Sequence, residues 1–210
     1  MPSDARQLFL DVARRVQARQ DELDGADRAI GDGDHGVALA RGFEAVRRRL
    51  EAGSFDTVGE LLNAVGGALL STMGGASGVL YGTFFIGGAA RLGEWKTFDG
   101  EALRRLLVDG CAAVQQRGKA KPGDKTMVDA LAPAAQKALE LSEASLAELL
   151  PEVVEAARRG MEQTTEMIAR TGKARTLGER SLGHPDPGAL SAYVILQSIA
   201  EYVSDRPPQS

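Results

Sequence analysis

The chain has 210 residues and a formal net charge of −4, with acidic and basic side chains interspersed. That length buries one sizeable core as a single domain, and the charge balance argues against a nucleic-acid partner. The lone cysteine, Cys111, excludes a disulfide framework and lies in an apolar pattern, as a small buried hydrophobe in a reducing compartment would.

The N-terminal MPSDARQLFLDVARR has no apolar signal core. The longest apolar run, Val79 to Ala90, is interrupted by glycine and too short to cross a bilayer. The expectation is a soluble, cytoplasmic protein with no membrane partner. Leu8, Val12 and Val16 fall at four-residue steps and predict a helix from Ala5 to about Arg19.

Leu23 to Gly42 follows as an acidic, glycine-rich turn, with Asp24, Asp27, Asp32 and Asp34 crowded beside His35. Crowded carboxylates repel, and a hard divalent cation offsets that charge through oxygen ligands. Asp27, Asp32 and Asp34 form the best ligand set, drawn together if Gly31 and Gly33 adopt positive φ. Asp24 could equally cap a helix end. A solvated acidic turn, or an N-cap followed by an Asx turn, is the plainer alternative. A calcium EF-hand is excluded, because the twelfth loop position counted from Asp32 is Phe43 where a bidentate Glu is required.

Leu39, Phe43, Val46 and Leu50 continue a helical stripe. Thr57 is placed to cap a third helix carrying Val58, Leu61, Leu62, Val65 and Leu69, in which Gly66-Gly67 implies close packing of a neighbour. The GGASG turn at 74–78 offers backbone amides to an anion, with Ser77 adding a hydroxyl. Alone it also reads as a plain helix–helix turn. A helix starting near Asp99 ends at Gly118. A basic loop, 119–124, follows, and the run from Gly118 to Thr126 nearly imitates a P-loop, with Asp124 intruding before the lysine; a preceding helix rather than strand excludes that reading.

Thr126 to about Leu141 is predicted helical despite Pro133, Ser145 to Leu150 is a short element, and Pro151 opens a long helix with a stripe reaching Ile168. Thr171 to Gly188 is the longest loop, and a last helix runs from about Ala189 to Val203. The expected architecture is all-α: about eight antiparallel helices in one domain over residues 1–204, with a disordered tail at 205–210. Antiparallel helices bring alternate junctions to one end, which would gather carboxylates, open amides and cations there. Phosphoryl transfer needs those parts.

Four motifs in register, IGDGDHG (30–36), GGASGVLYGT (74–83), GKAKPGDKTMVDAL (118–131) and LGERSLGHPDPG (177–188), resemble the nucleotide-binding L subunit of dihydroxyacetone kinases. The resemblance implies a barrel of eight antiparallel helices with ADP or ATP capping one end. It implies Asp27, Asp32 and Asp34 as ligands of two Mg²⁺ ions. It sets His35, Gly36, Ala76 and Ser77 at the phosphates, Gly118, Met127, Lys173, Asp186, Pro187 and Gly188 around the nucleoside, and Val37 and Ala38 among the residues that bind the nucleotide.

The partners implied are a dihydroxyacetone-binding kinase subunit and a phosphohistidine donor protein of the sugar phosphotransferase system, which recharges a bound ADP. A transcription regulator and a homodimer are further assemblies such subunits allow. No residue stands out as a general base, so catalysis rests on positioning and electrostatics. The chain departs from the phosphotransferase-linked pattern at Ala38 and Leu39, where that pattern has Asn and Met, and at Lys173, where it has Arg. Those departures favour a divergent kinase using free ATP on another small ketose or polyol; a nucleotide-sensing regulator and a lipid-binding α-barrel are the alternatives from other classes.

Overall fold

A computed structural model describes residues 2–206. The N-terminal apolar steps form α1 (Pro2–Ala18). The acidic stretch expected as a turn from Leu23 is instead helical up to Ile30, as α2 (Gln20–Ile30). Leu23, Asp24, Asp27 and Ile30 share its buried face, so two of the aspartates point inward on a helix rather than ride on a loop. The tight turn shrinks to residues 31–34 before α3 (His35–Ala52).

α4 (Val58–Thr72) starts as predicted, with the Thr57 side chain accepting from the Glu60 amide. α5 (Gly75–Ala89) resolves the apolar run as a helix. Gly66 lets α4 and α5 touch, since a Cβ there would meet the Gly82 carbonyl oxygen at 2.8 Å; Gly67 faces open space. α6 (Gly100–Gly118) begins at the Asp99 N-cap and buries Cys111, whose thiol burial pushes up to about 11, so it serves as a core hydrophobe.

α7 (Met127–Glu140) carries Pro133 in its second turn. A proline there leaves the Asp129 carbonyl without its usual helical donor, and α8 presses Gly160 against that same carbonyl, where any Cβ would overlap it. α8 (Leu146–Gln163) is one helix rather than a short element followed by a second. Its start is fixed by a capping box between Ser145 and Glu148, and Pro151 sits inside it at the cost of one backbone bond. The helix stops at Gln163, so Ile168 lies beyond it, 41% exposed. A 3₁₀ turn (Thr164–Glu166) and a 3₁₀ segment (Lys173–Ser181) replace much of the expected long loop. α9 (Pro187–Ser204) closes the chain; of the tail expected at 205–210, residues 207–210 lie outside the described ones.

Each helix from α3 to α9 packs on the next, and α1 and α2 close the ring between α9 and α3. Phe9, Phe43 and Phe85 are fully buried, with Phe9 edge-on to Phe85 and Phe98 at 6.0 and 5.5 Å. Because the helices alternate in direction, the junctions α2–α3, α4–α5, α6–α7 and α8–α9 gather at one end. No strand occurs among the described residues, and none of their helices is long and apolar enough to cross a membrane.

Candidate functional site

The acidic turn is built from α2. Asp27 Oδ2 accepts the backbone amides of Gly33 (2.9 Å), Asp34 (3.0 Å) and His35 (3.3 Å), and Asp24 Oδ1 accepts that of Val37 (3.0 Å). Asp34, the N-cap of α3, contributes no side-chain cap of its own. Two inward carboxylates of one helix therefore cap the start of the next, favoured by their negative charge at a helix N-terminus. Gly33 takes the positive φ expected of it (+78°), while Gly31 is extended and is glycine because a Cβ would overlap the Asp27 carboxylate.

Carboxylate oxygens of Asp27, Asp32 and Asp34 lie within 4.8 Å of one another, with Asp27 buried and the other two exposed. Asp24 stands apart as a cap. The Lys173 ammonium pairs with Asp32 and holds that carboxyl below the usual carboxylate range. The same contact raises the lysine. An open cavity of about 430 Å³ lies beside this pair, lined by Arg28, Ile30, Asp32, Lys173 and Leu177. A larger one, about 750 Å³, follows the outer groove between α3 and α4 past Arg49 and Phe55 and touches none of the cluster.

His35 is buried, and its Nε2 lies 2.8 Å from Ser191 Oγ on α9. Burial pushes its imidazole down against the raising influence of Asp27, Asp24 and Asp34. The Tyr81 hydroxyl of α5 bonds to the same Ser191 oxygen and donates to the Gly188 carbonyl at 3.0 Å; burial keeps this phenol protonated. The single Ser191 hydroxyl proton is shared between the Tyr81 oxygen and the Pro187 carbonyl 2.9 Å away. One buried chain of hydrogen bonds thus links the acidic turn, α5 and the start of α9.

At the second junction Gly74 and Gly75 have φ of +71° and +59°, and a Cβ on either would meet nothing within 4 Å. The α5 start has no side-chain cap, which leaves its first amides without a side-chain acceptor beside exposed Ala76 and half-buried Ser77. At the third, Gly118 lies against Leu80, and the buried Met127 adjoins Gly188, whose added Cβ would sit 3.3–3.4 Å from it.

Lys125 is 2% exposed, has φ +60°, and donates to the carbonyls of Thr164 (2.6 Å), Ser181 (2.7 Å) and His184 (2.6 Å). At the fourth, Asp186 caps α9 through the Ala189 amide (2.8 Å), and burial of its carboxyl, reinforced by Asp129, raises it to about 7.

The sequence-predicted residues thus sit on the four junctions at one end: Asp27, Asp32, Asp34 and His35 to Ala38 on the first, Ala76 and Ser77 on the second, Gly118 and Met127 on the third, Asp186 to Gly188 on the fourth. Lys173, expected around the nucleoside, pairs with Asp32 of the carboxylate cluster. Ser191, Tyr81 and Lys125 escaped the sequence reading as site residues. Tyr81 and Lys125 lie inside quoted motifs, but their partners are more than thirty residues away in the chain.

The DAK2 domain family matches residues 29–201. The ADP-binding subunit DhaL of the PEP-dependent dihydroxyacetone kinase of Escherichia coli is 43% identical, over 85% of this chain and 86% of its own length. DhaL of the PTS-dependent dihydroxyacetone kinase of Lactococcus lactis is 37% identical, over 90% and 92%. The dihydroxyacetone kinase of C. freundii, solved in complex with AMP-PNP and Mg²⁺, aligns with a TM-score of 0.72 at 28% identity, over 94% of this chain and 33% of that one. This chain therefore corresponds to about a third of that kinase and to nearly the full length of the DhaL subunits. With the fold, the motifs and the relatives in agreement, the chain belongs to the DAK2-domain family, as a DhaL-like protein.

Proposed function

We propose that this chain is the nucleotide-carrying subunit of a dihydroxyacetone kinase, delivering the γ-phosphoryl group of ATP to dihydroxyacetone, or a similar small hydroxyketone, held on a partner subunit. The observation that carries the reading is the three-aspartate cluster at the same barrel end as the uncapped amides of α5. An all-oxygen, anionic donor set with two exposed members suits a hard cation and leaves positions open for phosphate oxygens. Asp27, Asp32 and Asp34 would hold two Mg²⁺ ions, which when bound neutralise charge on the phosphates.

The chain's own residues bind and orient. The α5 amides and Ser77 cradle phosphate oxygens. His35, neutral and fixed through Ser191, keeps the turn in place. Gly118, Met127 and Asp186 to Gly188 receive the nucleoside, with Met127 covering a base face. ADP is held as a cofactor and recharged by a phosphohistidine protein, as the names of the PEP- and PTS-dependent relatives suggest. Ala38 and Leu39 favour a second reading, in which free ATP exchanges directly.

The deciding experiment is on the protein as purified: denature it, identify released nucleotide, and follow exchange with labelled ATP in Mg²⁺. Retained, non-exchanging ADP supports the recharged cofactor, and rapid exchange supports the ATP-dependent form. No nucleotide binding in Mg²⁺ would sink both.

A further inference from the structure

We infer that Lys125 is the positioning residue of the nucleoside half of the site: its buried ammonium ties three points of segment 164–186 to the start of α7. The inference rests on the nucleotide-carrying function proposed above. A buried ammonium is costly unless its donors are matched. Here three N–H donors meet three carbonyls at 2.6–2.7 Å, which satisfies the group completely.

Those carbonyls belong to separate places: Thr164 just past the end of α8, Ser181 at the end of the 3₁₀ segment, and His184 in the turn leading to Asp186. Among the described residues no carboxylate is bonded to the ammonium, and Asp186 acts on it through space. The charge is therefore committed to backbone, which an ordinary surface lysine or a core ion pair would not do.

The backbone at Lys125 supports the same conclusion. A non-glycine residue at φ +60° is uncommon and persists where its surroundings over-determine it. That conformation turns the side chain inward one residue before Thr126 caps α7 and two before Met127. Outside Lys125, the segment is anchored to the rest of the chain by the Lys173 ion pair with Asp32 and the Arg170 amide to the Asp124 carbonyl (3.2 Å). The Gly183 amide to Thr165 (2.7 Å), Ala169 to Ser181 Oγ (3.0 Å) and the Asp186 amide to Thr164 Oγ1 (2.8 Å) close it on itself. One cation thereby sets Met127 and the Asp186–Gly188 turn relative to each other, the two sides between which the nucleoside is proposed to lie.

The test compares Lys125→Met with Leu50→Ala, a fully buried core truncation on α3 far from the site end. Both lose thermal stability, which controls for a purely structural effect. Two quantities are read well below either melting point: ADP affinity in Mg²⁺, and tryptic cleavage at Arg170, Lys173, Arg175 and Arg180. The expected result is at least a tenfold loss of ADP affinity and at least tenfold faster cleavage in Lys125→Met alone. Wild-type affinity and cleavage in that variant would overturn the inference, as would equal effects in Leu50→Ala.

If the wild type binds no ADP, the proposed function falls, and cleavage alone decides the tether. If Lys125→Met does not fold, amide exchange in the wild type decides. Ala169, Arg170 and Gly183 protected as well as the core of α9 support the tether, and exchange a hundredfold faster there refutes it.

Discussion

Asp27→Asn tests the acidic turn most directly, because the side chain keeps its shape and loses its charge. Oδ2 holds three amides, two at 2.9–3.0 Å and one longer at 3.3 Å. Hydrogen bonds to a charged acceptor are worth about 1.5–3 kcal/mol and neutral ones about 0.5–1.5 kcal/mol, so each short bond loses about 1 kcal/mol and the long one less. The opposing effect is relief of repulsion with Asp32 and Asp34, which are exposed and screened by solvent. The bonds win, and the metal-free protein should lose about 2 kcal/mol, or roughly 4–8 °C for a chain of this size.

Urea unfolding in EDTA, with an unchanged m value and unchanged far-UV helicity, measures this. Adding Mg²⁺ and ADP at a hundred times the dissociation constant should stabilise the wild type by a further ~2.7 kcal/mol and leave the variant where it was. Wild-type stability in EDTA would refute the capping argument. Full stabilisation of the variant by Mg²⁺–ADP would refute Asp27 as a ligand.

Ser77→Ala should weaken ADP binding by about 1.5–3 kcal/mol, the worth of one charge-assisted bond; calorimetry showing no change places the hydroxyl outside the site. Tyr81→Phe removes the hydroxyl shared between Ser191 and Gly188 and should cost ~1–2 kcal/mol in urea unfolding, with a shift under a few tenths counting against the buried chain. Asp186, raised to about 7, binds a proton more tightly folded than unfolded, where a carboxyl titrates near ~3.9. Its contribution is therefore present at low pH and lost as pH rises from about 4 to about 7. Asp186→Asn should flatten the wild-type slope across that window, and parallel stability–pH curves for the two proteins would contradict the assignment.

The helices were legible where apolar residues fall on one face, as in α1, α3, α4 and α6, and where a side chain caps them, as at Thr57 and Asp99. α2 was misread because Asp24 and Asp27 carry loop chemistry on a helical face, and their amide partners belong to the next helix. Pro151 misled because one missing backbone bond is cheaper than breaking a helix already fixed by a capping box. In the site, the short acidic turn and the glycine junctions show in local sequence. The roles of Lys125, Tyr81 and Ser191 do not, since each is defined by partners distant in the chain and, for Lys125, by a backbone twist that residue type does not signal.

The unequal treatment of helix starts has a thermodynamic consequence. At the far end α4, α6 and α8 are each sealed by their own side chains, Thr57, Asp99 and Ser145. α5 begins on Gly74 without a seal. Glycine in place of a capping side chain costs only a few tenths of a kcal/mol, so the folded state tolerates it. The unspent valence of those amides makes folding and anion occupancy linked quantities: any phosphate that fills them raises the melting temperature in proportion to the logarithm of its concentration. Neighbouring helices of opposite direction largely cancel one another's macrodipoles, so that attraction is confined to the first turn of α5. It is a short-range, stereochemical selection rather than a long-range pull.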